Sequence, residues 1–282
     1  MSNKKWSEKE IEFLKANYKN YTYEELGKLM NRSREAVQLK ISKLGMIKSK
    51  YNYNKDYFEK IDNRDKAYWL GFIWADGYIM SNTEYRNYEL GIELQKSDAV
   101  YLRKFNKAIS GNIPLGFRKR EAFIETGRKI FCETCQIRIY CKKMVEDLID
   151  KGLFQNKSLS IGYPKHLDDK YFFDFLRGYF DGNGSVLLAK DRKSLRGCFS
   201  SGSKEILERI KEKLYEYSIN SYISIEEKRP TELKLFVGGL NNSLKFFELL
   251  YKDTNEEIRL ERKYSKFIKI KEEYYTENRR LF

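Results

Sequence analysis

Two stretches of the chain hold residues that could do chemistry together. "WLGFIWADGYI" (residues 69–79) and "LRGYFDGNGSV" (residues 176–186) are both apolar, both of helical character, and both close on a turn-forming glycine. The residue before that glycine is Asp76 in the first and Asn183 in the second, and the glycines themselves, Gly77 and Gly184, lie 107 residues apart. Each stretch has another glycine six positions earlier, Gly71 and Gly178, where a helix loses about 1 kcal/mol relative to alanine. Close approach of two helix backbones is a good reason to keep glycine there. Two such helices packed together would bring positions 76 and 183 near each other. A pair of carboxylates at that place would bind divalent metal ions between them. An aspartate and an asparagine still offer oxygen ligands, but with less negative charge. Asp181 is a poor substitute for the missing carboxylate, because residues two apart on a helix face different ways.

The elements around these stretches repeat. After the first come the strand-like runs "YELGIELQ", "IPLGFRKR" and "KIFCETCQIRIY", then the helical "KKMVEDLIDKGL". After the second come "SVLLAK", "RGCFSSGS", "SYISIEEK" and "TELKLFVGG", then "NSLKFFELLY". Each half reads as helix, strands, helix, so the fold class is α+β with an internal duplication. The halves are expected at 67–165 and 166–282.

Residues 1–46 predict a separate three-helix domain. "SEKE" (Ser7, Glu10) and "TYEE" (Thr22, Glu25) are capping boxes, Ser33 is a third N-cap and Gly45 a stop. Ile11, Leu14 and Tyr18, then Leu26, Leu29 and Met30, then Val37, Ile41 and Leu44 follow helical spacing. A tight turn near "MNRS" suggests a helix-turn-helix whose third helix presents Arg34, Gln38 and Lys40 to DNA. The stretch resembles Myb/SANT-like DNA-binding modules through "WSEKEIEFLKANY", "EELGKLMNRSREAV" and "KISKLGM". Residues 47–66 have no clean period and read as a basic, tyrosine-bearing linker.

Composition supports a nucleic-acid partner. The chain has 282 residues and a formal net charge of +14, with basic residues interleaved with tyrosines, as phosphate contact requires. No apolar run approaches a membrane span, and "MSNKKWSEKE" is no signal peptide, so a cytoplasmic location is expected. The lone Cys132–Cys135 pair falls on a strand-like run, where its side chains would point to opposite faces, and is read as incidental. His166, the only histidine, sits in a loop-like stretch without companions, and no phosphate-binding GxxxxGK is present, which argues against a nucleotide cofactor.

"WLGFIWADG" and "LRGYFDGNG" resemble the two signature helices of LAGLIDADG homing endonucleases, and the second is the stronger match. Supporting similarity runs through "LQKSD", "GLFQNKS", "FSSGSKE" and "RLERKYSKF", over about residues 67–270. The resemblance implies two pseudo-symmetric halves in a monomer, whose saddle-shaped antiparallel sheets sit on double-stranded DNA. It also implies Mg²⁺ at the feet of the paired helices, hydrolysing both strands at a long site. It assigns metal binding to Asp76 and Asn183, and catalytic roles to Gln95 and to Lys142, with Lys96 an alternative for the lysine. Strand parity places Gln136 and Arg138 on the face of Lys142, opposite Cys135, Ile137 and Ile139. In the second half the corresponding places hold Gly202 and Asn241 or Asn242. Base readout is expected from Arg118, Arg120, Gln136, Arg138, Lys228 and Lys234. Asn183 fits a nickase or a non-cleaving binder, an exchange made to trap uncut DNA, or an enzyme that tolerates the amide. The rival function is a transcription regulator or splicing maturase on the same scaffold.

Overall fold

In the computed structural model the described residues are 5–18, 20–44, 46, 51–82, 87–123, 129–188, 195–226 and 229–279. The chain forms two compact units, Met1–Asn52 and Tyr53–Phe282.

The first unit has α1 (Glu8–Asn17), α2 (Tyr23–Met30) and α3 (Arg34–Lys43). Both expected capping boxes are made: Ser7 and Glu10 bond reciprocally, as do Thr22 and Glu25, while Ser33 caps α3. Asn31 turns the chain in the left-handed conformation between α2 and α3, which asparagine tolerates. Leu14, Leu26, Val37 and Ile41 form the core, ringed by Trp6, Tyr18, Tyr23, Met30 and Met46. Leu29, expected in that core, is instead exposed, and Gly45 lies outside the described residues.

The linker reading holds for none of 53–66. Phe58 is fully buried, its ring stacks on Phe105 at 6.5 Å, and Asn54 N–H bonds the Ile109 carbonyl at 2.7 Å. Two aromatic side chains, Tyr57 and Phe58, bury more apolar surface than a solvated tether would surrender, so the segment docks on its own unit. Residues 47–50 lie outside the described residues.

The second unit is a true duplication. Its first half runs α4 (Arg64–Asp76), β1 (Gly77–Asn82), β2 (Asn87–Gln95), α5 (Ala99–Ala108), β3 (Gly116–Phe123), β4 (Lys129–Ile139) and α6 (Lys142–Asp150). Its second runs α7 (Phe172–Asn183), β5 (Gly184–Leu188), β6 (Leu195–Ser201), α8 (Lys204–Glu216), β7 (Ser221–Glu226), β8 (Arg229–Val237) and α9 (Leu240–Leu250), followed by α10 (Glu261–Arg279). The two sheets are antiparallel, ordered β1-β2-β4-β3 and β5-β6-β8-β7. The fold is therefore α+β with two four-stranded halves. Helices α5 and α8 and the long α10 add to the sequence expectation.

Gly77 pairs with Ile92 and Gly184 with Phe199, so the halves superpose in register. Alternation sets one face of each sheet on the helices: Leu90, Ile92, Cys135, Ile137 and Ile139 in the first, Phe199, Leu233, Leu235 and Val237 in the second.

Candidate functional site

The paired helices α4 and α7 build the centre of the site. A Cβ on Gly71 would lie 1.9 Å from the Phe175 carbonyl oxygen, and one on Gly178 would lie 1.9 Å from that of Tyr68. No side chain fits at either place, which is why the sequence accepts glycine inside two helices. Gly71 lies against Phe175 and Tyr179, Gly178 against Tyr68 and Phe72, and Gly182 against Ala75 and Asp76. The helices therefore run parallel, and their C-terminal ends meet.

Asp76 is the last residue of α4 and Asn183 the last of α7. A Cβ on Gly182 would sit 3.0 Å from Asp76 Oδ2, so the carboxylate lies on the other helix's final turn. Burial raises the Asp76 pKa, and Lys263, Lys157 and Arg262 act against that shift. No described residue donates a hydrogen bond to this carboxylate.

Two buried lysines close the helix ends. Lys157 Nζ donates to the Ala75 carbonyl at 3.0 Å, and Lys263 Nζ to those of Phe180 and Asp181 at 2.6 and 2.7 Å. These carbonyls are the unsatisfied groups of a helix C-terminus, where a cation is favourable. Burial nevertheless lowers both ammonium groups to about 8. Asp181 turns inward, accepting from Tyr68 Oη at 2.9 Å and Leu260 N–H at 2.7 Å, and burial pushes its carboxyl up to about 6. It is spent on structure, as helix geometry requires. Beside Asn183 lies a cleft of about 350 Å³ whose lining includes Lys157, Tyr179, Ser200, Gly202 and Glu232.

Gln95 ends β2, exposed and opposite Thr134. The register puts Gly202 at its equivalent place in the second half, as the local pattern suggests. Lys142 departs from expectation. Strand β4 stops at Ile139 and Lys142 opens α6, so strand parity no longer applies to it. Its exposed ammonium pairs with Glu146 at 3.4 Å and lies over the Tyr88 ring. The lysine that reaches the foot of α4 is Lys157, in the quoted "GLFQNKS". Its signal was that motif, with a lysine in both halves, at 157 and 263. Lys96 pairs with Glu133 at 3.1 Å. Asn242 bonds the Asn220 and Gly238 carbonyls, a purely local role.

On the outer face of the first sheet lie Arg118, Arg120, Gln136 and Arg138, in cross-strand register with Thr134, Cys132, Glu93 and Gly91. Glu93 holds Arg120 at 3.3 Å, and Arg138 Nε is 3.1 Å from Gln136 Oε1 and 3.4 Å from Glu89. On the second sheet Lys234 stands between Ser200 and Ser224; Lys228 lies outside the described residues. In the first unit, Arg34 and Gln38 are exposed on α3, with Leu39 beside them. Lys40 is turned away and lies 5.8 Å over the Trp6 ring.

Residues 172–251 match the family described as LAGLIDADG-like domain. The first half repeats the element order and strand register of the half that holds this match. Among solved structures, the chain is similar to the homing endonuclease I-WcaI bound to its DNA recognition sequence (16% identity, 72% of this chain and 89% of that one, TM-score 0.49). It is also similar to full-length DUF199/WhiA from Thermatoga maritima (17%, 78% and 65%, TM-score 0.46) and to I-DmoI in complex with DNA and Mn (16%, 68% and 98%, TM-score 0.44). A curated relative, DNA-directed RNA polymerase subunit Rpo1C of Methanocaldococcus jannaschii, is 26% identical over 173 residues, or 61% of this chain. The match spans 18% of that relative's length.

Proposed function

We propose that the chain is a sequence-specific, double-stranded-DNA endonuclease of the homing type, acting as a monomer. Its chemistry is unequal, with one foot carrying Asp76 and the other Asn183. The carrying observation is the parallel helix pair, locked at Gly71 and Gly178, which brings those two residues together where β1 and β5 begin. The net charge of +14 supports a DNA partner. The glycine seam lies within one chain, which supports action without a second copy.

Oxygen donors suit Mg²⁺. Asp76 is a largely buried carboxylate that accepts no hydrogen bond from a described residue, and Asn183 adds an amide oxygen. Among the described residues no three acidic, cysteine or histidine side chains converge, so Asp76 would be the anchor. A metal there would stabilise negative charge on the phosphate and lower the pKa of a bound water. Lys157, beside Asp76, would stabilise that charge as an ammonium or take a proton once neutral. Arg34 and Gln38 of the first unit would add contacts on flanking DNA.

The expected result is Mg²⁺-dependent single-strand breaks at one long site, mapped by end sequencing, and double-strand cuts from Asn183→Asp. A non-cleaving binder is the second reading, favoured by the neutral Asn183 and by Gly202 standing where the first half has Gln95. Binding without breaks from either protein would establish it. No sequence preference at all would overturn both.

A further inference from the structure

Beside the helix feet, the two halves place their polar groups on different strands. In the first half Gln95 pairs with Thr134. Its counterpart in the second half, Gly202, has no room for a side chain: a Cβ there would lie 2.6 Å from the Ser158 carbonyl oxygen and 2.7 Å from Leu159 Cδ2. The last pair of β6 and β8, Ser201 with Leu233, puts Glu232 across from Gly202, where the first half has Thr134. Glu232 and Asn183 line one cleft of about 350 Å³. Tyr179, one turn before Asn183 on α7, lines it too. Tyr179 is fully buried, and its hydroxyl makes no hydrogen bond of normal geometry. Burial raises the pKa of that hydroxyl, and nearby Ser201 and Asn183 act against the shift.

We infer that Glu232 supplies the carboxylate that position 183 lacks, and that the cleft takes a hydrated divalent cation between Glu232 and Asn183. This rests on the metal-dependent reading above and extends it from Asp76 to the second foot. The donors are hard oxygens: the Glu232 carboxylate, the Asn183 amide, and the hydroxyls of Ser200, Thr231 and Tyr179. Mg²⁺ needs no cage of acids, because it keeps several waters and is usually held by one or two carboxylates. A single carboxylate on β8 can therefore serve the second foot as Asp76 serves the first. Two lysines are close by. Lys157 donates its ammonium to the Ala75 carbonyl. Lys234 reaches Glu232 at 3.8 Å, with the two side chains 30% and 34% exposed. An ion pair that long and that exposed is weak, and a doubly charged ion can displace it.

The test uses the full chain and Mn²⁺ as the probe, with bound ion counted by electron paramagnetic resonance. Asp76→Asn removes the carboxylate of the first foot, and one Mn²⁺ site should remain. Adding Glu232→Gln should weaken that site at least about tenfold. Adding Asn183→Asp as well should restore it, because a carboxylate returns to the same cleft; a merely structural role for Glu232 would not be rescued this way. Glu212→Gln, on exposed α8 beside Arg209, removes the same charge elsewhere and should change nothing. Three results overturn the inference and leave Asp76 as the metal anchor: no Mn²⁺ site in Asp76→Asn, no loss from Glu232→Gln, or a loss that Asn183→Asp does not rescue. An equal loss from Glu212→Gln overturns it too. If the natural protein binds no Mn²⁺, the metal-dependent reading falls, and this inference with it. Crystals of the natural protein soaked in Mn²⁺ need no variant: anomalous scattering should show an ion between Asn183 and Glu232, and an ion at Asp76 alone overturns the inference.

Discussion

The two halves of the second unit share one backbone plan and differ in how they use it. Helix α7 is secured by buried ions: Arg177, fully buried, bonds Asp174 at 2.7 Å and the carbonyls of Leu250 and Ile258 at 2.9 and 2.8 Å. By register, the place of Arg177 in α4 is held by Leu70 and that of Asp181 by Trp74, both buried and uncharged, with the Trp74 indole donating to the Gly162 carbonyl at 3.0 Å. The outer faces differ position by position: Phe236 stands where Arg138 does, Arg196 where Glu89 does and Lys234 where Gln136 does. At the feet, the first half keeps a carboxylate and the second an amide. A repeated fold thus fixes where side chains stand and leaves their chemistry open, half by half.

The largest effect should come from the one feature the halves share. Gly71→Leu drives a side chain into the Phe175 carbonyl, and should destabilise the second unit by more than about 3 kcal/mol; Gly178→Leu should match it in urea unfolding. A large gap between them would mean that the helices are less alike than their register. Arg177→Met comes next. It leaves Asp174 with Arg64 as its remaining partner and strands two carbonyls, with an expected loss of about 3 kcal/mol, whereas Leu70→Met should cost under about 1.5 kcal/mol. Equal losses would erase the ionic-versus-apolar contrast. At the feet, Asp76→Asn should lower the Mg²⁺-dependent nicking rate at least a hundredfold, since a metal's charge is worth several kcal/mol. Asn183→Ala should do less, because it removes no charge.

The smallest effect is a pH slope. Lys157 and Lys263 have folded values of about 8, below the ordinary 10.5. Between those values the unfolded chain binds more protons, so stability should rise with pH from about 8 to 10.5. Asp181 has the opposite sign: its folded value of about 6 lies above the ordinary 3.8, so its contribution falls as pH rises through that window. Urea midpoints measured against pH should lose part of the alkaline rise in Lys157→Met, and the acid slope in Asp181→Asn.

Much of this was legible in the residues. Glycines at 71 and 178 marked the helix seam because a helix has no other use for them, and two capping boxes marked α1 and α2. Strand parity placed Gln136 and Arg138 on the outer face correctly. The misses have physical causes. Tyr57 and Phe58 looked like linker because two buried aromatics make no period. Lys142 was given the parity of β4 although the helical run already began with it, and parity ends with the strand at Ile139. Lys157 escaped notice as a functional group, since burial of a lysine is decided by the carbonyls it caps, and those are set by tertiary structure. Lys40 was read as outward-facing, and its capture by Trp6 depends on a residue far from it in the chain.

The seam at Gly71 and Gly178 has a consequence for how such a protein can change. It asks only that a side chain be missing at two heights, and it is made between two different helices of one polypeptide. In a homodimer one codon specifies both copies, so replacing a carboxylate at the helix foot would remove it from both at once. Here a single mutation alters one foot and leaves the other, and the seam keeps the altered and unaltered copies in alignment. Loss, retention and new use can therefore be sampled one half at a time.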